Sequence, residues 1–203
     1  MTTRIGVIGL QGDVEEHAIA LEKTLAERGA LGEVVKIKHR GLVSSCDALV
    51  IPGGESTTIG RLMEREHIIS EVKVAVEDHA IPILGTCAGM VLLAKEGDEE
   101  VAKTGQPLLG LMDVKVKRNA FGRQRESFEI MLPMRIFEEP FPAVFIRAPA
   151  ITHAAERVEV LATFGELIVA AQQRNVIALS FHPELTDDRR IHHYFLDLVE
   201  YAE

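Results

Sequence analysis

Cysteine is scarce. The 203 residues hold only two, Cys46 and Cys87, and neither belongs to a C-x-x-C pair. That count argues against a disulfide framework or a cysteine-built metal site, and it fits a reduced, cytoplasmic compartment. Long apolar runs are also missing. The longest, such as residues 48–51 and 90–94, fall far short of the ~20 residues that span a bilayer, so no membrane partner is expected. Met1-Thr2-Thr3-Arg4 leads straight into a strand-like pattern, without the apolar core of a signal peptide. Basic charge is in deficit: 22 Lys and Arg face 31 Asp and Glu, for a net charge of −9. No dense basic block occurs, so nucleic acid is not expected as a partner. His17, His39, His67, His79 and His153 show no metal-ligand spacing, and no metal is expected. Internal repeats, low-complexity tracts and linkers are absent. Domains typically run ~100–200 residues, so residues 1–203 read as a single domain. Such a chain buries roughly 70% of its unfolded-state surface and needs no metal or disulfide staple.

What is present is an alternation of strand and helix. Residues 4–10 (RIGVIGL) are apolar and bounded by Gln11-Gly12, as in a strand buried on both faces. Asp13 can cap a helix running to about Arg28, with Val14, Ala18, Leu21 and Leu25 on one face and Gly29 just past its end. Residues 33–38 alternate as a second strand, and residues 48–51 form a third, cut off by Pro52-Gly53-Gly54. Ser56 or Thr57 can cap a helix to about His67, and residues 68–79 continue as a second helical stretch. Residues 81–84 form a fourth strand, followed at once by Gly85-Thr86-Cys87-Ala88-Gly89 and a short apolar helix from Met90. This order predicts right-handed crossovers around a mainly parallel sheet. After Ala94 the pattern changes. Residues 95–106 are polar and acidic and read as a surface loop, with Glu99-Glu100 in solvent. Residues 114–117, 127–131, 143–146, 158–162, 167–171 and 176–181 read as short strands, adding hairpins and antiparallel pairings at one side of the sheet. Residues 187–201 close the chain as a helix, with Ile191, Phe195, Leu198 and Val199 inward and at least one of His192-His193 exposed.

Chemistry concentrates at three strand ends. Gly85-Thr86-Cys87-Ala88-Gly89 has the shape of G-x-S-x-G with sulfur in place of oxygen. In such an elbow a strained turn lifts the nucleophile off the sheet and small neighbours avoid clashes. The elbow also aims the next backbone N–H, that of Ala88, at a developing oxyanion. Taken alone, the pentapeptide fits equally a small core cysteine between packing glycines. The apolar strand at 176–181 delivers His182-Pro183-Glu184 at its C-terminal end, where ligands gather in open α/β sheets. An imidazole there can take the thiol proton and later protonate a leaving amine, while a carboxylate two residues on fixes its tautomer. Singly, His182 fits a strand-terminal turn residue and Glu184 a solvated charge. Pro52-Gly53-Gly54-Glu55-Ser56 follows another strand and can expose N–H groups as a second oxyanion donor. It is not a phosphate-cradling loop, because no Gly-Lys-Ser/Thr follows. Cys46 has no glycine elbow and reads as structural. Phe121, Phe128 and Phe145 read as core or interface residues rather than base-stacking ones.

The order GG-E-S, then G-T-C-A-G-M, then F-H-P-E-L resembles the class I, or triad, glutamine amidotransferases. More narrowly, the chain is similar to the glutaminase subunits of pyridoxal 5′-phosphate synthases. That likeness rests on Ile5 to His17 (IGVIGLQGDVEEH), Pro52 to Ile59 (PGGESTTI), Arg118 to Glu129 (RNAFGRQRESFE) and Val144 to Pro149 (VFIRAP). The triad alone leaves other amidotransferase subunits of this size open. The resemblance implies a three-layer α/β fold: a mainly parallel central sheet, helices on both faces, and antiparallel additions in the second half. It implies Cys87 as nucleophile, His182 as general base and acid, and Glu184 as its orienting residue, with backbone N–H groups of Ala88 and Gly54 in the oxyanion hole. Contacts to L-glutamine fall on Gly54, Glu55, Ser56, Arg118, Ile146 and Arg147. An Arg can pair with the substrate α-carboxylate and a carboxylate with its α-ammonium, and Arg118 or Arg147 with Glu55 fit that pattern, although each also fits a surface ion pair. Ala150 departs from the pattern, standing where a larger or polar residue is expected after I-R-A-P. The implied reaction uses no bound cofactor. The implied partner is a (β/α)₈-barrel pyridoxal 5′-phosphate synthase subunit that receives the ammonia, with glutaminase activity weak until it docks.

Overall fold

The strand–helix alternation of the first half is realised in a computed structural model, which describes residues 2–122 and 127–200. In chain order the first half comprises β1 (Thr3–Ile8), α1 (Val14–Arg28), β2 (Gly32–Ile37), β3 (Ala48–Ile51), α2 (Ser56–Arg65), α3 (Ile68–Glu77), β4 (Ile83–Thr86) and α4 (Ala88–Leu93). The second half adds β5 (Ala94–Glu96), α5 (Glu99–Thr104), β6 (Met112–Lys117), β7 (Ser127–Leu132), β8 (Phe141–Ile146), β9 (Ala150–Ala154), β10 (Glu159–Phe164), β11 (Leu167–Gln173), β12 (Val176–Leu179) and α6 (Arg190–Glu200).

The large sheet has the order β2-β1-β3-β4-β12-β11-β9-β6-β5, with β10 paired to β11. From β2 to β12 every pairing is parallel, and from β12 through β11 and β9 to β6 every pairing is antiparallel. Strands β3, β4 and β12 are buried along their whole length, because helices cover both faces. On one face lies a core containing Ile59, Met63, Ile68, Val72 and Leu92 from α2, α3 and α4. On the other, Leu21 and Leu25 of α1 and Ile191, Phe195 and Leu196 of α6 pack with Phe141 and Phe145 of the separate β7–β8 hairpin. Strand β1 has β2 on one side and β3 on the other, so the crossover direction reverses there. This is the point where an open α/β sheet leaves a crevice at its C-terminal strand ends.

Several local expectations are corrected. Residues 95–106 are not a loop. They contain the end of β5 and all of α5, which the Asp98 carboxylate caps by accepting the Val101 N–H at 3.0 Å and Gly105 ends in a left-handed conformation. Glu99 and Glu100 are exposed as expected, but in the first turn of that helix. Helix α2 is capped by Glu55 rather than by Ser56 or Thr57: its carboxylate accepts from the Thr57 and Thr58 N–H groups. Strand β9 was not anticipated, and the buried Ala150 opens it opposite Lys117. Helix α4 starts at Ala88 rather than Met90, and α6 starts at Arg190, whose N–H is held by Asp188 at 3.0 Å. Residue 201 and part of the 118–129 motif lie outside the described residues. His192 is fully buried and His193 half-buried, so neither is exposed. Phe121, Phe128 and Phe145 do pack together, with the Phe128 and Phe145 rings stacked 4.7 Å apart.

Candidate active site

Four strand ends meet at one crevice: Gln11-Gly12-Asp13 after β1, Gly53-Gly54-Glu55 after β3, Cys87 after β4 and His182 after β12. The Cys87 elbow forms because its neighbours are small where the packing is tightest. A Cβ on Gly85 would stand 2.5 Å from Leu93 Cδ1, and one on Gly89 would stand 2.3 Å from the Ile51 carbonyl oxygen. Between them Cys87 takes φ 47° and ψ −101°, a backbone state that L-residues rarely adopt and that marks functional turns. Its N–H donates to the Leu179 carbonyl at 2.8 Å, tying the elbow to the strand that carries His182. Ala88 opens α4, where a backbone N–H has no acceptor within the helix.

His182 is almost wholly buried, and its own N–H donates to the Val144 carbonyl of β8 at 2.9 Å. Glu184, buried on the 3₁₀ turn Pro183–Leu185, places Oε1 2.8 Å from His182 Nδ1. Asp13 Oδ2 lies 3.2 Å from the same nitrogen. With two carboxylate oxygens facing Nδ1, a proton belongs there, and Nε2 is the ring nitrogen that faces away from them. Burial pulls the His182 pKa down, but the Asp13 and Glu184 carboxylates at Nδ1 outweigh it and raise the value well above the ordinary imidazole range. Among the described residues Nε2 has no hydrogen-bond partner, and the Cys87 thiol rests against the Ile146 carbonyl with Sγ 3.8 Å from its oxygen.

A cavity of about 380 Å³ opens over these groups, within the size range of small-molecule sites. Of the residues singled out from the sequence, Gly54, Glu55, Ser56, Cys87, Ala88, Arg118, Ile146, Arg147 and His182 line it, and Glu184 sits behind His182. Across the cavity Arg118 lies 3.4 Å from Glu55 Oε1 and donates to Thr57 Oγ1 at 3.2 Å. Burial pushes the Glu55 carboxyl up, but hydrogen bonds from Thr58 and Thr57 more than offset this and hold its pKa below the ordinary value. The Ser56 hydroxyl is turned to Gln106 Oε1 at 3.2 Å. Arg147 reaches the cavity from a left-handed backbone, φ 41°.

Three contributors were not recognised from the sequence. Asp13 has the N-cap position of α1 but makes no capping bond. Gln11 Oε1 accepts the Glu55 N–H at 2.9 Å and so anchors the glycine loop. His17, fully buried, places Nε2 2.9 Å from Thr86 Oγ1 and 3.3 Å from Glu184 Oε2. The G-L-Q-G-D-V-x-E-H run holds all three, and it was the available signal. Asp13, His182 and Glu184 bring donor atoms within 4.8 Å of one another. The nitrogen they share carries a proton between two carboxylates, so the set reads as a hydrogen-bond relay rather than a cation site. Cys46 is buried at the opposite end of the sheet, beside a cleft of about 630 Å³, and burial pushes its thiol pKa up.

Residues 7–201 match the model of the SNO glutamine amidotransferase family. A relative named pyridoxal 5′-phosphate synthase subunit PdxT from Methanococcoides burtonii is 63% identical over 194 residues, covering 96% of this chain and 98% of its own. Its namesake from Archaeoglobus fulgidus is 56% identical over 197 residues, covering 97% and 98%. A crystal structure described as a glutamine amidotransferase superposes with a TM-score of 0.85 at 45% identity, covering 97% of this chain and 98% of that one. Another glutamine amidotransferase, from Thermotoga maritima, has a TM-score of 0.59 at 15% identity, covers 100% of this chain and 91% of its own, and speaks for the fold alone.

Proposed function

The chain belongs to the SNO glutamine amidotransferase family, and from that premise we propose how its residues hydrolyse L-glutamine to L-glutamate and ammonia for pyridoxal 5′-phosphate synthesis. The observation that carries the assignment is the meeting, over one cavity, of a strained cysteine elbow and a buried histidine whose Nδ1 faces a buried glutamate at 2.8 Å. Glutamine enters with its α-carboxylate toward Arg118 or Arg147 and its α-ammonium toward Glu55. With the carboxylates at Nδ1 raising its basicity, His182 Nε2 holds the proton of the Cys87 thiol, and the thiolate of that ion pair attacks the side-chain carboxamide carbon. Backbone N–H groups of Ala88 and Gly54 stabilise the oxyanion, an effect worth about 10²–10³ in rate per donor. The imidazolium protonates the departing nitrogen as the C–N bond breaks, leaving a γ-glutamyl thioester and ammonia. The neutral imidazole then takes a proton from water, which attacks the thioester and releases glutamate and the thiol. Glu184 holds the ring in the Nδ1–H tautomer throughout.

Ammonia is protonated in bulk water and loses its nucleophilicity, so it passes directly to a partner. That partner is a (β/α)₈-barrel synthase subunit, and the assembly is cytoplasmic, a placement supported by two buried, unpaired cysteines. Docking reorganises the Gly53-Gly54 loop about its anchors, the Asp13 N–H to the Gly53 carbonyl at 3.1 Å and Gln11 at the Glu55 N–H. Glutamate release by wild type and Cys87→Ala, each with and without the synthase, tests the reading. Activity should require Cys87 and rise with the synthase. Equal turnover by the isolated chain and the complex would overturn the docking step, and activity without Cys87 would overturn the triad.

A further inference from the structure

The Cys87–His182–Glu184 set leaves one carboxylate at the site without a task. Asp13 occupies the N-cap of α1, where an Asp side chain ordinarily accepts a hydrogen bond from the first-turn N–H groups. It makes no such bond and places Oδ2 3.2 Å from His182 Nδ1 instead. Its backbone N–H meanwhile donates to the Gly53 carbonyl at 3.1 Å. Glu184 and Asp13 face the same imidazole nitrogen from different frames of reference. Glu184 rides on the same short turn as His182, so it sets the tautomer without fixing where the ring stands relative to Cys87. Asp13 belongs to the β1–α1 connection. Contact with it ties the ring both to the sheet and to the glycine loop above.

We propose that Asp13 is a positioning residue of the glutaminase site, its carboxylate bracing the His182 ring while its N–H braces the Gly53-Gly54 loop, so that base and oxyanion loop are held as one unit. The inference rests on the roles of Cys87 and His182 given above. Steric fit supports it, because a Cβ on Gly53 would stand 2.6 Å from Asp13 Oδ2 and 2.9 Å from His182 Nδ1. The Asp13 carboxyl is held below its ordinary pKa by its hydrogen bond to His182, which keeps the brace charged. The other ionisable groups around His182 are Glu184 on its own turn, His17 on α1 and Cys87 at the elbow, with Glu55, Arg118 and Arg147 across the cavity. Of these, Asp13 can lose its charge without a change of volume or of capping ability, through Asp13→Asn.

The test uses the complex with its synthase, following glutamate release over pH together with the imidazole ¹⁵N shifts of His182. Asp13→Asn should lower kcat about tenfold with KM for glutamine little changed, and move the deprotonation of His182 down by about one pH unit, the size expected for one lost charge-assisted bond. Asp13→Ser, which keeps a cap without the charge, should behave the same way, and Asp13→Glu should restore part of the shift. An unmoved His182 titration in both uncharged variants would overturn the proposal, even if kcat fell, because a helix-start role alone would leave that titration untouched. Cys87→Ala in parallel separates the two levels. Activity surviving in it sinks the triad, whereas an inactive Cys87→Ala beside unaltered Asp13 variants sinks only the brace.

Discussion

A methyl group on the Cα of Gly53 would come within 2.4 Å of His182 Cε1, closer than a real Cβ is ever found to another heavy atom. The glycine is therefore part of the site's shape as well as a turn residue. Glu184 sets the His182 tautomer and β8 holds its backbone, which leaves the ring and the loop free to shift, so Gly53→Ala relieves the clash by moving one or the other. On the proposed roles, both movements separate His182 from the backbone N–H groups of Ala88 and Gly54. Glutaminase activity of the complex should fall by about 10²–10³, the loss typical of one misplaced oxyanion donor. Far-UV circular dichroism should stay that of the wild type.

Strain at Cys87 gives a second expectation. Cys87 holds φ 47° and ψ −101°, and positions of this kind cost about 1–3 kcal/mol when occupied by residues other than glycine. Cys87→Ala and Cys87→Gly should both be inactive. Only the glycine variant escapes the strain, so it should be the more stable of the two by about 1 kcal/mol after its greater backbone entropy is counted. Urea unfolding of the pair reads the difference directly, and equal midpoints would mean that the elbow is not strained.

Arg118 and Glu55 face each other across the cavity at 3.4 Å, partly exposed to solvent. A pair of this kind adds little to stability, about 0–1 kcal/mol, but it presents one group of each sign to an amino acid. Arg118→Ala should raise KM for glutamine about 10–100-fold, the value of a lost hydrogen bond to a charged group. Because the guanidinium touches no reacting atom, kcat should change by only a few-fold. Steady-state kinetics of glutamate release separates the two parameters. A fall in kcat at constant KM would place Arg118 elsewhere in the reaction.

Cys87, His182 and Glu184 were legible as a candidate set only together, since each alone fits a non-catalytic reading. Small residues surround Cys87 at a strand end, and His182 and Glu184 sit together at another. Fold class was legible because buried parallel strands and amphipathic helices announce themselves by period. Asp13 was not, because its immediate context, an acid before a helix, is fully explained as a cap, and its partner is folded in from the far end of the chain. His17 looked like an isolated histidine until the packing of α1 set it against Thr86 and Glu184. Helix α5 was masked by polarity: six residues with one buried side chain, Val101, are held by the Asp98 cap rather than by an apolar face. For Asp13 and His17 the missing information was a contact between segments, which period and composition do not encode; for α5 it was a local cap without an apolar period.

Two buried histidines tie stability to pH. Burial pushes the His192 pKa down to about 3, and burial likewise lowers that of His17. Each therefore takes up a proton more readily in the unfolded chain, near its ordinary value of 6.5, than in the fold. The unfolded state then binds more protons between 6.5 and the folded value, so the stability present above pH 6.5 drains away as pH falls toward 3. His182 acts in the opposite sense. Its raised pKa gives a contribution that is complete below 6.5 and fades toward pH 12, so it is constant over the acid range. His192 alone should supply a slope of up to about 1.4 kcal/mol per pH unit. Neither of its ring nitrogens has a hydrogen-bond partner among the described residues. His192→Leu should then flatten the acid-side loss measured by urea unfolding between pH 4 and 7, leaving the His17 share, and gain about 1 kcal/mol at pH 7 by removing unpaired polar atoms. An acid slope unchanged by the substitution would mean that His192 is not neutral in the fold.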